Sequence, residues 1–505
     1  MIKRTKCALI ALLVLAALPA LSYAGGQKQE SAAPGGFKFT MMANFNQPEP
    51  PRESSDLMQF IRNTLKADIQ FNWTPTAAYN DKLGVQLATL DLADVTVARG
   101  NTRDASVVSA IRDGAFWPLD KYLNNPKYPG LAKLSAERLA HIRLDGHVWG
   151  LPIERDLSQA GVLYRKDWLD KLGIPEPKNM NDVWEIMKAF TERDPDGNGK
   201  ADTTGLSMKG RNLSDKLSDV AVYYGGRQEW YYDEASRTVK HETEDPAYQK
   251  SLDFHRDAYA KGYFVSNVVE LNNEYLPLQQ GRAGLVFFSD INDVVDTQLK
   301  VAAVFPEARI GFTQNLAAPD GKIAMRSHIG YNGAFLFSKS SIKTEERLEE
   351  IIKFFDLLGS DENILTMRRG IKDKHYTIVN GQLVATEAQI KAFRETDFPD
   401  ASLITPFGVT KPIPEKMSDP LTQATADSVD NYKGLRYIRL SDIYVSDTAV
   451  KLGNNLTDIL RDARMKYVLG EINLAGWNAE VARWRAAGGD NVKAELTAAY
   501  LANPQ

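Results

Sequence analysis

The run DPDGNGKAD, residues 194–202, puts an oxygen-bearing side chain at every second position: Asp194, Asp196, Asn198 and Asp202. In the numbering of a calcium loop these are positions 1, 3, 5 and 9, with the carbonyl of Lys200 at position 7 and Gly199 at position 6. Short oxygen ligands in alternation let a tight turn wrap one hard cation, and the glycine permits the sharp bend. Position 12, where an EF-hand supplies a bidentate Glu, is Gly205. The pattern therefore predicts a structural Ca2+ site that lacks the carboxylate a calcium sensor needs. A solvated Asp/Asn/Gly turn that binds nothing is the alternative.

Other chemistry is thin. There is no HExxH, no GxSxG, no P-loop and no dinucleotide-binding glycine fingerprint. The six histidines, His141, His147, His241, His255, His328 and His375, show no ligand spacing. Paired acids beside aromatic residues would serve a glycoside hydrolase, so a secreted polysaccharide-active enzyme stands as the alternative class. A calcium-dependent adhesion module would show repeats or several loops, and the chain has one loop and no repeat.

The elements that must position these residues follow a sorting signal. Lys3, Arg4 and Lys6 precede an apolar run from Ala8 to Leu21, shorter than the roughly 20 residues of a membrane span. Ser22-Tyr23-Ala24 predicts cleavage before Gly25, and residues 25–36 read as a flexible leader. The single cysteine, Cys7, lies in the removed segment, so neither a lipid anchor nor a disulfide is expected. Loss of three basic residues takes the formal charge from −4 to −7, and no Lys/Arg run offsets it. This argues against nucleic acid and against anionic membranes as partners.

Strands are predicted at 37–43, 69–73 and 94–98, with helices at 54–65 and 79–89 between them, a spacing that predicts a parallel sheet with crossover helices. Asp145-Gly146 is the turn of a hairpin, and Ala160–Tyr164 is a further strand. A helix at 182–191 buries Val183, Ile186, Met187 and Phe190 and feeds the calcium loop. Helices at 245–261 and 344–358 and strands at 283–288 and 329–338 follow. Leu474, Trp477, Val481 and Trp484 recur at three- and four-residue steps, one apolar helix face near the C-terminus.

The blocks DGHVWGLP, LYRKDWLDKLGIPEP, FTERDPDGNGKADTTGL, QGRAGLVFFSD, FDLLGSDENILTMRRGIKDKHY and GWNAEVARWRAAGG together resemble the extracellular solute-binding proteins of carbohydrate ABC importers. The resemblance leans to the branch that takes large oligosaccharides, including alginate oligosaccharides. It implies an α/β, two-lobed periplasmic-binding-protein fold of type II-like architecture, with hinge crossings, a helical C-terminus and ligand in the cleft. It also implies a periplasmic monomer that passes an oligosaccharide to the transmembrane subunits of an ABC permease, without chemistry. Carried over block by block, it places the N-terminal lobe at 37–155 plus 283–326 and the C-terminal lobe at 156–282 plus 327–505. Crossings are implied near Pro152–Leu157, near Gly281 and near His328–Gly333. Two departures stand out: no lipobox, and Thr203 where alginate binders carry an acid after the calcium loop.

Cleft residues can then be ranked by position. Asn44 follows the first strand and can donate to and accept from sugar hydroxyls, or it can hold a turn. Arg155 and Asp156 fall at the first crossing, where Arg155 could grip a uronate carboxylate or form an interlobe ion pair. Trp73, Trp230 and Tyr331 are candidate stacking platforms, with core packing as the competing role. Asp290 ends a strand and could accept from two adjacent hydroxyls, or cap the helix after it. Trp184, Trp477 and Trp484 are assigned to the core.

Overall fold

The computed structural model describes residues 36–100, 102–158, 161–209, 213–268, 270–287, 291–416 and 420–504. The predicted signal peptide and nearly all of the leader lie outside these residues, as does Asp290. Strands β1 (Phe37–Phe45), β2 (Ala67–Pro75), β3 (Val95–Arg99) and β4 (Gly150–Glu154) come first. Next are β5 (Val162–Arg165), β6 (Thr204–Leu206), β7 (Trp230–Asp233), β8 (Thr238–His241), β9 (Ala283–Phe287), β10 (Ile310–Thr313) and β11 (Ala324–Arg326). After β12 (Tyr331–Phe337) there are only short strands: β13 (Thr377–Val379), β14 (Gln382–Val384), β15 (Glu415–Lys416) and β16 (Leu435–Tyr437).

Two α/β lobes result. The first is a five-stranded sheet in the order β2-β1-β3-β12-β4, with β1 parallel to β2 and β3 and with β12 antiparallel to both its neighbours. The second is a four-stranded sheet in the order β10-β5-β9-β6. Strand β1 lies inside the sheet, and from Met41 to Phe45 it is buried at every position, where an edge strand would alternate.

The helix Glu345–Leu358 shows how sequence fixes a support of the first lobe. Thr344 caps it by accepting from Arg347 N, and Glu345 and Glu346 sit in its first turn, where the helix dipole favours negative charge. Leu348, Ile351, Ile352, Phe355 and Leu358 recur on one face and are buried against the sheet.

In the second lobe the helix Met180–Glu192 buries Val183, Ile186, Met187 and Phe190, as its spacing predicts. It lies unusually close to the sheet, over glycines. A Cβ on Gly205 would come 2.6 Å from Met187 Cα, and one on Gly284 would come 2.0 Å from the Phe190 ring. The C-terminal helices pack on this lobe, with Trp477 and Trp484 in its core.

The expected lobe boundaries are corrected here. Residues 283–326 belong to the second lobe, because β9 and β10 both pair with β5. Strand β12, expected in the C-terminal lobe, is inserted between β3 and β4 of the first. The helices Glu345–Leu358 and Asp361–Arg369 go with it. Strands β9 and β12 are both short apolar runs buried on both faces, and periodicity cannot say which sheet such a run joins. The chain therefore crosses between lobes after Glu154, between β10 and β12, and again between Phe407 and the helix Pro420–Asp430, which packs on the helix Ile291–Val304. Gly281 is not a crossing. It has φ of 71° and leads into β9, with the Phe305 ring 2.7 Å from where its Cβ would be.

Beneath β7 and β8 lies a fully buried ion pair. Arg464 donates to Glu242 Oε1 at 2.7 Å and to the Tyr248 hydroxyl at 2.5 Å. Ser218 Oγ and Glu229 N also donate to the Glu242 carboxylate, each at 2.8 Å. Burial pushes Glu242 up to about 7, although Arg464 pulls the other way. No described helix is long and apolar enough to cross a membrane.

Candidate interlobe binding site

Because β1, β2 and β3 run parallel, their carboxyl ends open onto one rim of the first lobe, the place where open α/β sheets bind ligands. Asn44, Trp73 and Arg99 stand at this rim. Trp73 is half-buried and stacks on Phe71 at 4.6 Å with an interplanar angle of 10°, so one of its faces is already used. Asn44 is 2 % exposed, and its amide donates to Thr76 Oγ1 at 2.7 Å. The bond ties β1 to the start of the helix Thr76–Thr89.

The first and second crossings meet side by side. Arg155 N donates to Gly330 O at 2.8 Å, and His328 N donates to Leu157 O at 2.9 Å. Arg138 Nε donates to both Arg155 O, at 2.9 Å, and Gly330 O, at 3.0 Å. The Arg155 guanidinium donates to Glu154 O at 2.8 Å. His328 Nδ1 accepts from Gly330 N at 3.0 Å. Burial, and then Arg326, Arg155, Arg439 and Arg138, hold His328 down at about 3, so it is neutral at physiological pH. Arg326 pairs with Asp219 at 3.3 Å and Arg439 with Glu229 at 2.6 Å and Asp442 at 2.9 Å, whereas Arg138 is held by backbone carbonyls. Asp156 sits in the same region. Burial raises its carboxyl, while Lys411 and Arg368 lower it.

Two expected platforms are corrected. Trp230 is 7 % exposed, packed against His241 at 4.7 Å and Trp484 at 5.7 Å, and its cluster of polar neighbours is the β7–β8 hairpin. Tyr331 is 1 % exposed, with its hydroxyl 3.2 Å from Thr102 Oγ1. Neither ring offers a face to a sugar in this conformation. Sequence reasoning missed Arg138, which lies on the helix Ala136–Ile142 and reaches the crossing from outside it. No local pattern marks such a residue.

In the loop after the helix Met180–Glu192, Asp194 accepts from Gly197 N, Asn198 N and Gly199 N at 3.0–3.1 Å. Asn198 Nδ2 bridges Asp196, at 2.8 Å, and Asp202, at 3.2 Å. Gly197 and Gly199 have φ of 75° and 76°, the left-handed turns the loop needs. Desolvation opposes ionisation of Asp194, but hydrogen bonds from Asp196 and the three N–H groups outweigh it and hold its carboxyl below the usual range. Asp196, desolvated and bonded to Asp194, is raised. Asp194, Asp196 and Asp202 thus crowd three carboxylates into one turn, an arrangement that suits neutralisation by one hard cation. Thr203 does not assist; it is buried and donates to Phe190 O at 2.8 Å.

Among the described residues one further group, Asp56, His375 and Asp397, brings its ligand atoms within 4.8 Å. Lys374 Nζ already lies 2.7 Å from Asp56 and 2.9 Å from Asp397. Ile371 N donates to His375 Nδ1, which leaves the ring proton on Nε2, facing Asp397. An internal ammonium fills this cluster, and a metal on Nε2 would require an imidazolate.

The polygalacturonan/rhamnogalacturonan-binding protein YtcQ of Bacillus subtilis is 27 % identical over 500 residues, covering 97 % of this chain and 98 % of that protein. An extracellular solute-binding protein of Bifidobacterium longum subsp. infantis superposes with a TM-score of 0.70 at 15 % identity, covering 92 % of this chain and 98 % of that one. The alginate-binding protein AlgQ2, solved without calcium ion, superposes with a TM-score of 0.68 at 17 % identity, covering 93 % and 99 %. The model of the bacterial extracellular solute-binding proteins matches residues 54–364, more than half of the chain, and the chain belongs to that family.

Proposed function

We propose that the protein captures a uronate-bearing oligosaccharide between its lobes and delivers it to the transmembrane subunits of an ABC permease. As a member of its family it is a substrate-binding component of a sugar importer and not an enzyme. The observation that supports the uronate assignment is the pair Arg138 and Arg155, whose guanidinium groups bond to the backbone of the crossing strands themselves. Guanidinium groups grip carboxylates bidentately. The acidic net charge does not oppose this, since fields beyond about 8 Å are screened at physiological salt and the local set dominates. A relative named for polygalacturonan and rhamnogalacturonan binding points the same way.

Calorimetric titration with trigalacturonate and with its uncharged galactose counterpart tests the assignment. The uronate is expected to bind about 10- to 100-fold tighter, as one or two charge-assisted hydrogen bonds of roughly 1.5–3 kcal/mol would give. Its affinity should also fall as salt is raised. Equal or tighter binding of the neutral sugar overturns the uronate assignment, and hydrolysis of either overturns the binding role.

We further propose that Asp194, Asp196, Asn198, the Lys200 carbonyl and Asp202 hold a structural Ca2+ in the second lobe. Bound calcium would clip the loop and neutralise its carboxylates. The loop joins the helix Met180–Glu192 to β6, and the hydrogen bonds that shape it stay among its own residues. A chelator is therefore expected to lower the melting temperature by several degrees, equivalent to about 3 kcal/mol at calcium a hundredfold above its Kd. Sugar affinity should stay unchanged. Lost affinity in the still-folded protein would place the metal in the binding function instead. Cleavage before Gly25, with release into the periplasm as a monomer, completes this reading.

A further inference from the structure

Val162 pairs with Phe287, so the end of β9 lies level with the residues where the chain enters the second lobe from the first crossing. Strand β6 runs parallel to β9 and ends at the same rim. This rim is the second lobe's side of the site. Lys216 stands there, 8 % exposed, with Nζ donating to Phe287 O at 3.0 Å. Lys209, three residues beyond β6, is the more accessible of the two. Both face the carboxylate of Glu274, which is 7 % exposed: Lys209 Nζ is 3.5 Å from Oε2 and Lys216 Nζ is 3.9 Å from Oε1.

The same lobe shows what a permanent buried pair looks like. Arg464 and Glu242 meet at 2.7 Å, with Ser218 and Glu229 N as additional donors on the carboxylate. Charge-assisted N–H···O bonds are about 2.7–2.9 Å long. The Lys209–Glu274–Lys216 set is looser by most of an ångström, and it sits on a ligand-facing rim. Two ammonium groups flank one carboxylate at a separation a closer-fitting carboxylate would shorten.

We infer that Glu274 is an internal stand-in for a ligand carboxylate. It holds Lys209 and Lys216 ready in the ligand-free protein, and a uronate carboxylate takes its place between them. Glu274 then competes with ligand and sets how much more tightly the acidic sugar binds than a neutral one. The inference rests on the uronate assignment above.

Titration of the full-length protein and of the Glu274→Gln and Lys209→Met variants with trigalacturonate tests it, with melting curves for each. Glu274→Gln removes the competitor's charge while keeping its shape, and is expected to tighten binding about tenfold, the equivalent of about 1.4 kcal/mol. Lys209→Met should weaken binding about tenfold, and both effects should be smaller for a neutral sugar that binds. If Glu274→Gln does not fold, Lys209→Met decides, because its partly exposed side chain tolerates replacement. Weaker binding in Glu274→Gln, or a Lys209→Met that matches the wild type, overturns the inference while leaving the uronate assignment standing. A wild type that takes only neutral sugars overturns both.

Discussion

Replacing Gly205 with Glu is expected to unfold the second lobe rather than complete the calcium loop. In loop numbering Gly205 is the position of the missing bidentate carboxylate, so the substitution looks like a repair. Yet a Cβ there would lie 2.6 Å from Met187 Cα, Cβ and O, contacts that real Cβ atoms do not make. The obstacle is helix backbone, which cannot swing aside as a side-chain tip would. Gly205 N also donates to Thr191 Oγ1 at 2.9 Å, so the helix and β6 are locked at that approach. Overpacking of this kind costs about 3 kcal/mol or more. Calorimetry in saturating calcium is expected to show a large fall in melting temperature, and a rise would mean that the helix can move and the loop can be completed.

Removing the buried guanidinium, Arg464→Met, should be comparably severe and should depend on pH. It leaves Glu242 fully buried without its cation, a loss of about 3–5 kcal/mol when the carboxylate is charged. In the wild type Glu242 already titrates near 7, above its ordinary 4.5. The folded state thus binds this proton more tightly than the unfolded chain does. The contribution of Glu242 to stability therefore falls as pH rises from about 4.5 to about 7. Without Arg464 the carboxyl rises further, so the variant's deficit should be largest near pH 8 and smaller near pH 5, where Glu242 is neutral. His241, held at about 3 by burial and then by Arg464, contributes stability that grows with pH up to its unfolded value. Losing Arg464 relaxes it slightly, in the same direction. Urea melts at the two pH values check this, and a small deficit independent of pH would contradict it.

How much of this was legible in the sequence differs from element to element. The helix Met180–Glu192 and the β1 strand were readable because period and capping act locally. The calcium-type loop was readable because its ligands are contiguous. Lobe membership was not, since β9 and β12 are apolar runs of similar length and only pairing with distant strands sorts them. Trp230 was read as a platform from the polar residues beside it, but its packing against Trp484 comes from a segment more than two hundred residues away. Arg138 and Glu274 carry no local signature, and each acquires its role from partners that only the folded chain brings near.

The place of β12 between β3 and β4 has a consequence for how the chain can be made. The first lobe has four of its five strands by residue 154, but their sheet has a gap until Phe337 exists to fill it. The second lobe, in turn, waits for residues beyond 420 to cover its core. Neither half can finish while most of the chain is still emerging from the ribosome, and closing contacts this distant in sequence is slow. The topology that joins the two lobes therefore also lengthens the interval in which the chain stays incompletely folded.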